Sequence, residues 1–166
     1  MNFSISFREF KNYLFKKDNL FFLIFAIIIF FLDRLSKLKI INNLDEAPYY
    51  VNDYINFDLV WNIGIGFGLL STNSSLLYNF VTTLIGIVII FLIYFLIISS
   101  KLDKFIYSII MGGAIGNFYD RIIYKAVPDF IDIHYGDFHW FTFNIADIFI
   151  SIGIIVYLLK DLVFKK

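Results

Sequence analysis

Cysteine is absent from the 166-residue chain. Its absence excludes disulfides, thiolate nucleophiles and cysteine-based metal sites. Charge is also scarce, since Asp, Glu, Lys and Arg make up 17% of the residues, whereas about a quarter is usual in a soluble domain. The formal net charge is zero, so no basic surface for nucleic acid is indicated.

Apolar residues take the place of the missing charge. They make up 60% of the chain, and residues 59–100 contain no Asp, Glu, Lys or Arg. Shorter uncharged runs cover 19–32, 105–119 and 148–159. A soluble fold of this size could not hide so many Phe, Ile and Leu side chains from water. The sequence therefore predicts an integral membrane protein.

The apolar runs are long enough for four membrane-spanning helices. A helix needs about 20 residues to cross a hydrocarbon core of roughly 30 Å. We predict an all-α integral membrane fold, a single domain with a four-transmembrane-helix bundle, whose helices cover about 19–39, 74–98, 105–124 and 145–163. The first run lacks a small-residue cleavage site after it, so we interpret it as a retained helix and not a signal peptide.

The distribution of basic residues predicts the orientation. Nine of the 14 Lys and Arg residues fall within 1–18, 99–104 and 160–166. Basic residues favour the cytoplasmic side, so both termini are predicted to be cytoplasmic, and the segments 40–73 and 125–144 lie outside.

Three aspartates share one predicted depth. Asp33 and Asp120 each lie sixteen residues after a lysine at the predicted inner end of their helix, about 24 Å along the axis. Asp147 lies thirteen residues before Lys160 on a helix that runs inward, about 20 Å away. All three carboxylates therefore fall in the outer part of the bilayer.

The two outer segments differ in pattern. Aromatic and β-branched residues alternate partly over 49–60, which predicts short strands. We interpret the segment 125–144 as an outer loop whose aromatic residues suit a membrane interface.

Carboxylates at membrane depth are costly and are usually functional. Two that share a site cannot both ionise easily, so one becomes an acid and the other a base that can activate water. Asp147 is a candidate, although Asn144 as N-cap and Asp147 in the first turn also fit a simple helix cap. Spacing alone does not choose between Asp129 and Asp120 as its partner.

Further polar residues surround these candidates. Asp33 and Lys37 are spaced i, i+4, which fits either an interfacial ion pair or a group that orients the site. Asn117 and Arg121 share a helix face near Asp120, as support or as substrate contacts. The three glycines before them predict close approach of another helix: Gly112, Gly113 and Gly116.

Other chemistries lack their motifs. His134 and His139 lie in an outer segment without a His-Glu-x-x-His helix, and no phosphate-binding loop is present. We predict no metal and no cofactor. Two rival functions remain: a small transporter that uses intramembrane acids, and an assembly factor whose glycine face binds a partner.

The chain resembles the bacterial lipoprotein signal peptidases (signal peptidase II) in five blocks, which occur in the family's order over residues 33–147. The third and the fifth are the most specific. The blocks are Asp33-Arg34-Leu35-Ser36-Lys37, Asn62-Ile63-Gly64, Gly112-Gly113-Ala114-Ile115-Gly116-Asn117-Phe118-Tyr119-Asp120-Arg121, Val127-Pro128-Asp129-Phe130 and Phe143-Asn144-Ile145-Ala146-Asp147.

The resemblance implies an aspartic endopeptidase of the bacterial cytoplasmic (inner) membrane with its site toward the extracytoplasmic face. Asp129 and Asp147 would be the catalytic pair, and the substrates would be diacylglyceryl-modified prolipoproteins. The segment 40–73 would form a small extracytoplasmic β-cradle, and the loop 125–144 a second gate. Supporting or substrate-binding roles are implied for Asp33, Lys37, Asn62, Gly64, Asn117, Asp120, Arg121, Asn144 and Ala146.

The resemblance also implies inhibition by globomycin-type cyclic peptides, and we expect a monomer surrounded by membrane lipid.

Three residues depart from the family's usual pattern. Phe141 stands where Pro is common, Gly66 where Ala is common, and Pro128 where Val is frequent. Pro128 favours an extended Val127, so the departures concern loop geometry more than the pair of aspartates.

Overall fold

Four α-helices and one antiparallel sheet make up the part of the chain that the computed structural model describes, residues 15–44, 48–64 and 75–164. The helices are α1 Lys17–Asn43, α2 Ser75–Ile98, α3 Lys101–Tyr124 and α4 Ile145–Phe164. The strands lie in the order β1-β2-β3-β4 and are β1 Tyr49–Asn52, β2 Ile55–Asn62, β3 Val127–Tyr135 and β4 Phe138–Phe143. All four predicted helices are present, but α1 continues beyond residue 39 and α3 begins before residue 105.

Two of the described helices, α1 and α2, are long and apolar enough to cross a membrane. Their outer faces carry exposed side chains such as Phe21, Phe80 and Ile90, as expected where the solvent is lipid. α3 and α4 also have membrane-spanning length but hold charged residues near both ends. Four membrane spans therefore remain a prediction.

The segment 125–144 differs from the prediction, because it forms a β-hairpin and not a loop. β3 pairs with β4 around a turn at Gly136, whose φ of 58° is left-handed and costs glycine no steric strain. The Gly136-Asp137 pair between apolar runs is a hairpin signal that the sequence interpretation overlooked. β3 also pairs with β2, for example through Asn62 and Val127.

The first outer segment is confirmed in its strands and corrected at its start. β1 and β2 form the short strands predicted within 49–60. The segment was predicted to begin at residue 40, but α1 runs to Asn43. Pro128 lies within β3 opposite Trp61, so the chain around it is extended as predicted. Gly66 belongs to residues 65–74, which lie outside the described part.

α3 lies at the centre of the bundle because its glycines allow both neighbours to approach. A Cβ on Gly112 would lie 2.7 Å from the carbonyl oxygen of Ala26 on α1. A Cβ on Gly113 would lie 2.5 Å from the carbonyl oxygen of Ala146 on α4. The predicted close approach is confirmed. Because the chain's own helices cover this face, the hypothesis of a glycine face that binds a partner is wrong.

Candidate active site

Asp129 lies near the start of β3 and is 2% exposed. Its Oδ2 accepts a hydrogen bond from Asn62 Nδ2 at 2.9 Å, and its Oδ1 accepts one from Asn144 Nδ2 at 2.6 Å. Burial, and then the negative charge of Asp147, raise the pKa of the Asp129 carboxyl from 3.8 to about 7, against the lowering effect of the two amides. The carboxyl can therefore hold or release a proton near neutral pH.

Asp147 lies in the first turn of α4, where its side chain and Asn144 cap the helix reciprocally. Asp147 N donates to Asn144 Oδ1 at 3.0 Å, and Asn144 N donates to Asp147 Oδ2 at 3.3 Å. This is the arrangement of a capping box, so the predicted N-cap is confirmed. Because Asn144 also donates to Asp129, one residue connects both carboxylates.

Three asparagine amides point their NH₂ groups at the two carboxylates because their oxygens are occupied elsewhere. Asn62 Oδ1 accepts from the backbone N–H of Gly64 at 2.8 Å. Asn117 Oδ1 accepts from Lys37 Nζ at 2.8 Å, which leaves its Nδ2 to donate to Asp147 Oδ1 at 2.8 Å. Hydrogen bonds that stabilise a carboxylate favour its charged form, so these amides oppose the effect of burial.

Lys37 is the centre of a buried charge network behind the site. Its Nζ lies 2.7 Å from Asp33 Oδ2, 2.7 Å from Asp120 Oδ2 and 2.8 Å from Asn117 Oδ1. The predicted ion pair of Asp33 and Lys37 is present, but the side chain of Lys37 is 0% exposed, so the pair is buried and does not lie at a surface. A buried lysine needs partners of this kind because an unpaired charge would be very costly.

The same network fixes the start of α4. Asp33 Oδ1 accepts from the backbone N–H of Ala146 at 2.9 Å, which satisfies one of the free N–H groups of a helix N-terminus. Arg34 pairs with Asp120 and donates to the hydroxyl of Tyr124 at 2.9 Å. α1 and α3 thus hold the helix end that carries Asp147. The sequence interpretation gave Arg34 no distinct role.

Arg121 joins α3 to the end of β2. Its guanidinium donates to the carbonyl oxygen of Gly64 and lies 5.8 Å from the ring centre of Tyr78. Nε and Nη1 are buried and have no hydrogen-bond partner among the described residues. Arg121 is also one of the residues that line the cavity described next.

A cavity of about 460 Å³ lies between α2, α3 and α4, with the two aspartates among its lining residues. Near the aspartates its lining is polar, with Asn62, Asn117 and Arg121. Elsewhere it is almost wholly apolar. The sequence did not predict the α2 residues that line the cavity, because a helix that is apolar on every face gives no signal for which residues line a site. These α2 residues are Val81, Leu84, Ile85, Val88 and Leu92.

Each predicted site residue has a contact in this region. Asp129 and Asp147 lie on one cavity, while Asp120 pairs with Lys37 and Arg34 outside it. Of the two aspartates that spacing left open, Asp129 is therefore the one that shares a cavity with Asp147, and its catalytic role stays a prediction. Gly64 and Ala146 act through backbone groups alone, with Gly64 contacting Asn62 and Arg121, and Ala146 contacting Asp33.

The fold and the site define a helical membrane protein in which a buried and a half-buried carboxylate line one largely apolar cavity. Residues 25–163 match the model of the family described as signal peptidase (SPase) II. A lipoprotein signal peptidase of Pelagibacter ubique is 44% identical over 87% of this chain and 89% of that protein. One of Polynucleobacter necessarius is 40% identical over 80% of this chain and 83% of that protein.

Two solved structures have a similar fold over most of the chain. One, described as a bacterial membrane enzyme, has a TM-score of 0.74 and 30% identity, and the match covers 88% of this chain and 92% of that one. A second with the same description has a TM-score of 0.72 and 27% identity, over 88% of this chain and 94% of that one. The chain belongs to the signal peptidase II family. It is thus a protease of lipoprotein processing and an inner membrane protein.

Proposed function

We propose that the protein is an aspartic endopeptidase that removes the signal peptide from diacylglyceryl-modified prolipoproteins at the outer side of the cytoplasmic membrane. The observation that supports this most directly is the position of Asp129 and Asp147 on one cavity, with amide donors on both. The cavity is otherwise apolar, as the hydrophobic segment of a signal peptide requires.

The proposed reaction uses one proton shared by the two aspartates. The ionised carboxylate takes a proton from a water molecule, which attacks the carbonyl carbon of the scissile peptide bond. The protonated carboxyl donates its proton to the carbonyl oxygen, giving a neutral gem-diol. The first carboxyl then protonates the leaving amine as the C–N bond breaks, and the gem-diol returns one proton to the pair. No covalent intermediate is needed.

Asp129 is our candidate for the carrier of the shared proton at rest. Its pKa of about 7 lies where a general acid is most effective at neutral pH. Asp147 lies at the N-terminus of α4, where the helix dipole favours negative charge. The three amides hold both carboxyls in fixed orientations, so no reorganisation is needed during the reaction.

The orientation belongs to the same proposal. We propose four membrane spans, with both termini cytoplasmic and the sheet outside, on the distribution of Lys and Arg. Because the chain has no cysteine, single cysteines can report the topology. A cysteine at Tyr135, which is 74% exposed, should react with an impermeant thiol reagent added outside intact cells. A cysteine at Lys101 should react only after the membrane is opened, and the reverse pattern would reject the orientation.

The decisive experiment measures cleavage of a diacylglyceryl prolipoprotein by purified Asp129→Asn and Asp147→Asn variants. Each should lose at least about a hundredfold in kcat/KM, since acid–base groups contribute factors of about 10² to 10⁴. Asp132→Asn is the matched control, because Asp132 is buried on the same strand but does not line the cavity. Wild-type turnover by either folded dyad variant would reject the mechanism.

Two further properties follow from the proposal. The unlipidated precursor should be cleaved poorly, and globomycin-type cyclic peptides should compete with the lipidated one. Both are measured in the same assay. The protein should act as a monomer, because one copy of the chain supplies both aspartates and the amides that donate to them.

A further inference from the structure

Ser151 presents a polar group deep inside the apolar part of the cavity. It lies on α4 four residues after Asp147 and lines the cavity beside Ile150 and Ile154. Four residues correspond to about 6 Å along a helix. Its hydroxyl therefore lies one turn from the proposed catalytic carboxylate, on the side away from the sheet.

The hydroxyl of Ser151 differs from the other hydroxyls inside the described helices. Those of Ser36, Thr82, Thr83 and Ser108 each donate to a backbone carbonyl of their own helix, at 2.7 to 2.9 Å. Such back-bonding is the usual way to satisfy a hydroxyl in an apolar helix. Within the described part of the chain, Ser151 makes no such bond although it borders the cavity.

Cleavage requires the signal segment to expose backbone C=O and N–H groups, and such groups are costly in a membrane when they lack hydrogen-bond partners. In a helix, each carbonyl is hydrogen-bonded to the N–H four residues on, so a signal segment must unwind around the bond to be cut. Unwinding releases carbonyl and N–H groups at membrane depth, where each unsatisfied group costs several kcal/mol. The polar lining near the aspartates can receive groups at the bond itself, but one turn deeper the lining offers the hydroxyl of Ser151.

We propose that Ser151 is a positioning residue that donates a hydrogen bond to a backbone carbonyl of the unwound signal segment, about one turn before the scissile bond. The proposal rests on the proposed function, since it assigns part of the same cavity to a signal segment. In this proposal the unwound region of the signal segment begins at Ser151. Deeper in the cavity the signal segment is helical and packs against α2.

The test compares kcat and KM for a lipidated precursor in Ser151→Ala, Ser151→Thr and Ser108→Ala. Losing one neutral hydrogen bond lowers affinity about threefold to tenfold, so Ser151→Ala should change kcat/KM by that factor with unchanged thermal stability. Ser151→Thr keeps the hydroxyl and should restore most of the loss. Ser108→Ala removes a hydroxyl already bonded to Phe105 O, and its kcat/KM should equal that of the wild type.

A semisynthetic precursor identifies the acceptor. Replacing single amides by esters before the cleavage bond weakens one carbonyl acceptor and removes one N–H donor at a time, and comparison with Ser151→Ala isolates the bond made by Ser151. At one position the ester should slow the wild type about threefold to tenfold and should have no further effect in Ser151→Ala. Equal kcat/KM for Ser151→Ala and wild type, or additive effects at every ester position, would overturn the proposal while leaving the peptidase activity intact. A wild-type enzyme that cleaves no precursor would overturn the proposed function itself.

Discussion

Replacing Asp129 by Asn should remove the pH dependence that this carboxyl gives to the stability of the protein. Asp129 is 2% exposed and faces the charge of Asp147, and its pKa is raised to about 7. In the unfolded chain an aspartate has a pKa near 3.9. Between these two values the folded protein holds a proton that the unfolded chain has lost.

The sign follows from proton linkage. Because the folded state binds more protons in this window, its stability is greatest below the unfolded pKa and falls as pH rises through about 7. From pH 5 to pH 7 the free energy of unfolding should fall by about 2.3 kcal/mol, which is less than two full units of about 1.36 kcal/mol because the carboxyl is half ionised at pH 7. Asp129→Asn removes this dependence, at the cost of one amide hydrogen bond of about 1 kcal/mol.

The variant should therefore have nearly the stability of wild type at pH 5 and should be more stable at pH 8. Thermal unfolding in detergent micelles at both pH values measures the difference, with Asp147→Asn as the companion variant. Asp147→Asn should keep part of the dependence, because burial of Asp129 is the larger cause of its raised pKa and remains. The same pH dependence in wild type and Asp129→Asn would refute the assignment of a shared proton to Asp129.

Three further predictions follow from the contacts around the site. Lys37→Met leaves Asp33 without its lysine partner and should cost about 3–5 kcal/mol of stability in thermal unfolding, whereas Lys39→Met, at an exposed position, should cost little. Gly113→Ala would bring a Cβ within 2.5 Å of Ala146 O and move α4, so kcat/KM should fall at least about tenfold; Gly86→Ala brings a Cβ only to 3.2 Å from the Phe118 ring and should lose less. The pH profile of kcat/KM should fall about tenfold per unit above about pH 7, and Asn62→Ala should move that fall to higher pH, because Asn62 lowers the pKa of Asp129. An unshifted profile would contradict the role of Asn62.

The sequence alone predicted the helices and most of the polar residues of the site. Uncharged runs define helices because a membrane leaves few alternatives for so many apolar residues. Local spacing was enough for the cap at Asn144 and for the shared face of Asn117 and Arg121, because both lie within one or two turns of helix. The glycines of α3 were recognisable because a missing side chain permits close approach regardless of the partner's identity.

Tertiary structure alone decided how these parts meet. The pairing of β2 with β3 joins segments separated by α2 and α3, and no local pattern specifies which distant strand is the partner. Lys37 is buried between Asp33 and Asp120, although its spacing equally fitted a surface ion pair. Asp129 lines the same cavity as Asp147 whereas Asp120 does not, a placement that spacing left open. Local periodicity determines which face of an element a residue occupies, whereas the surroundings of that face depend on contacts distant in sequence.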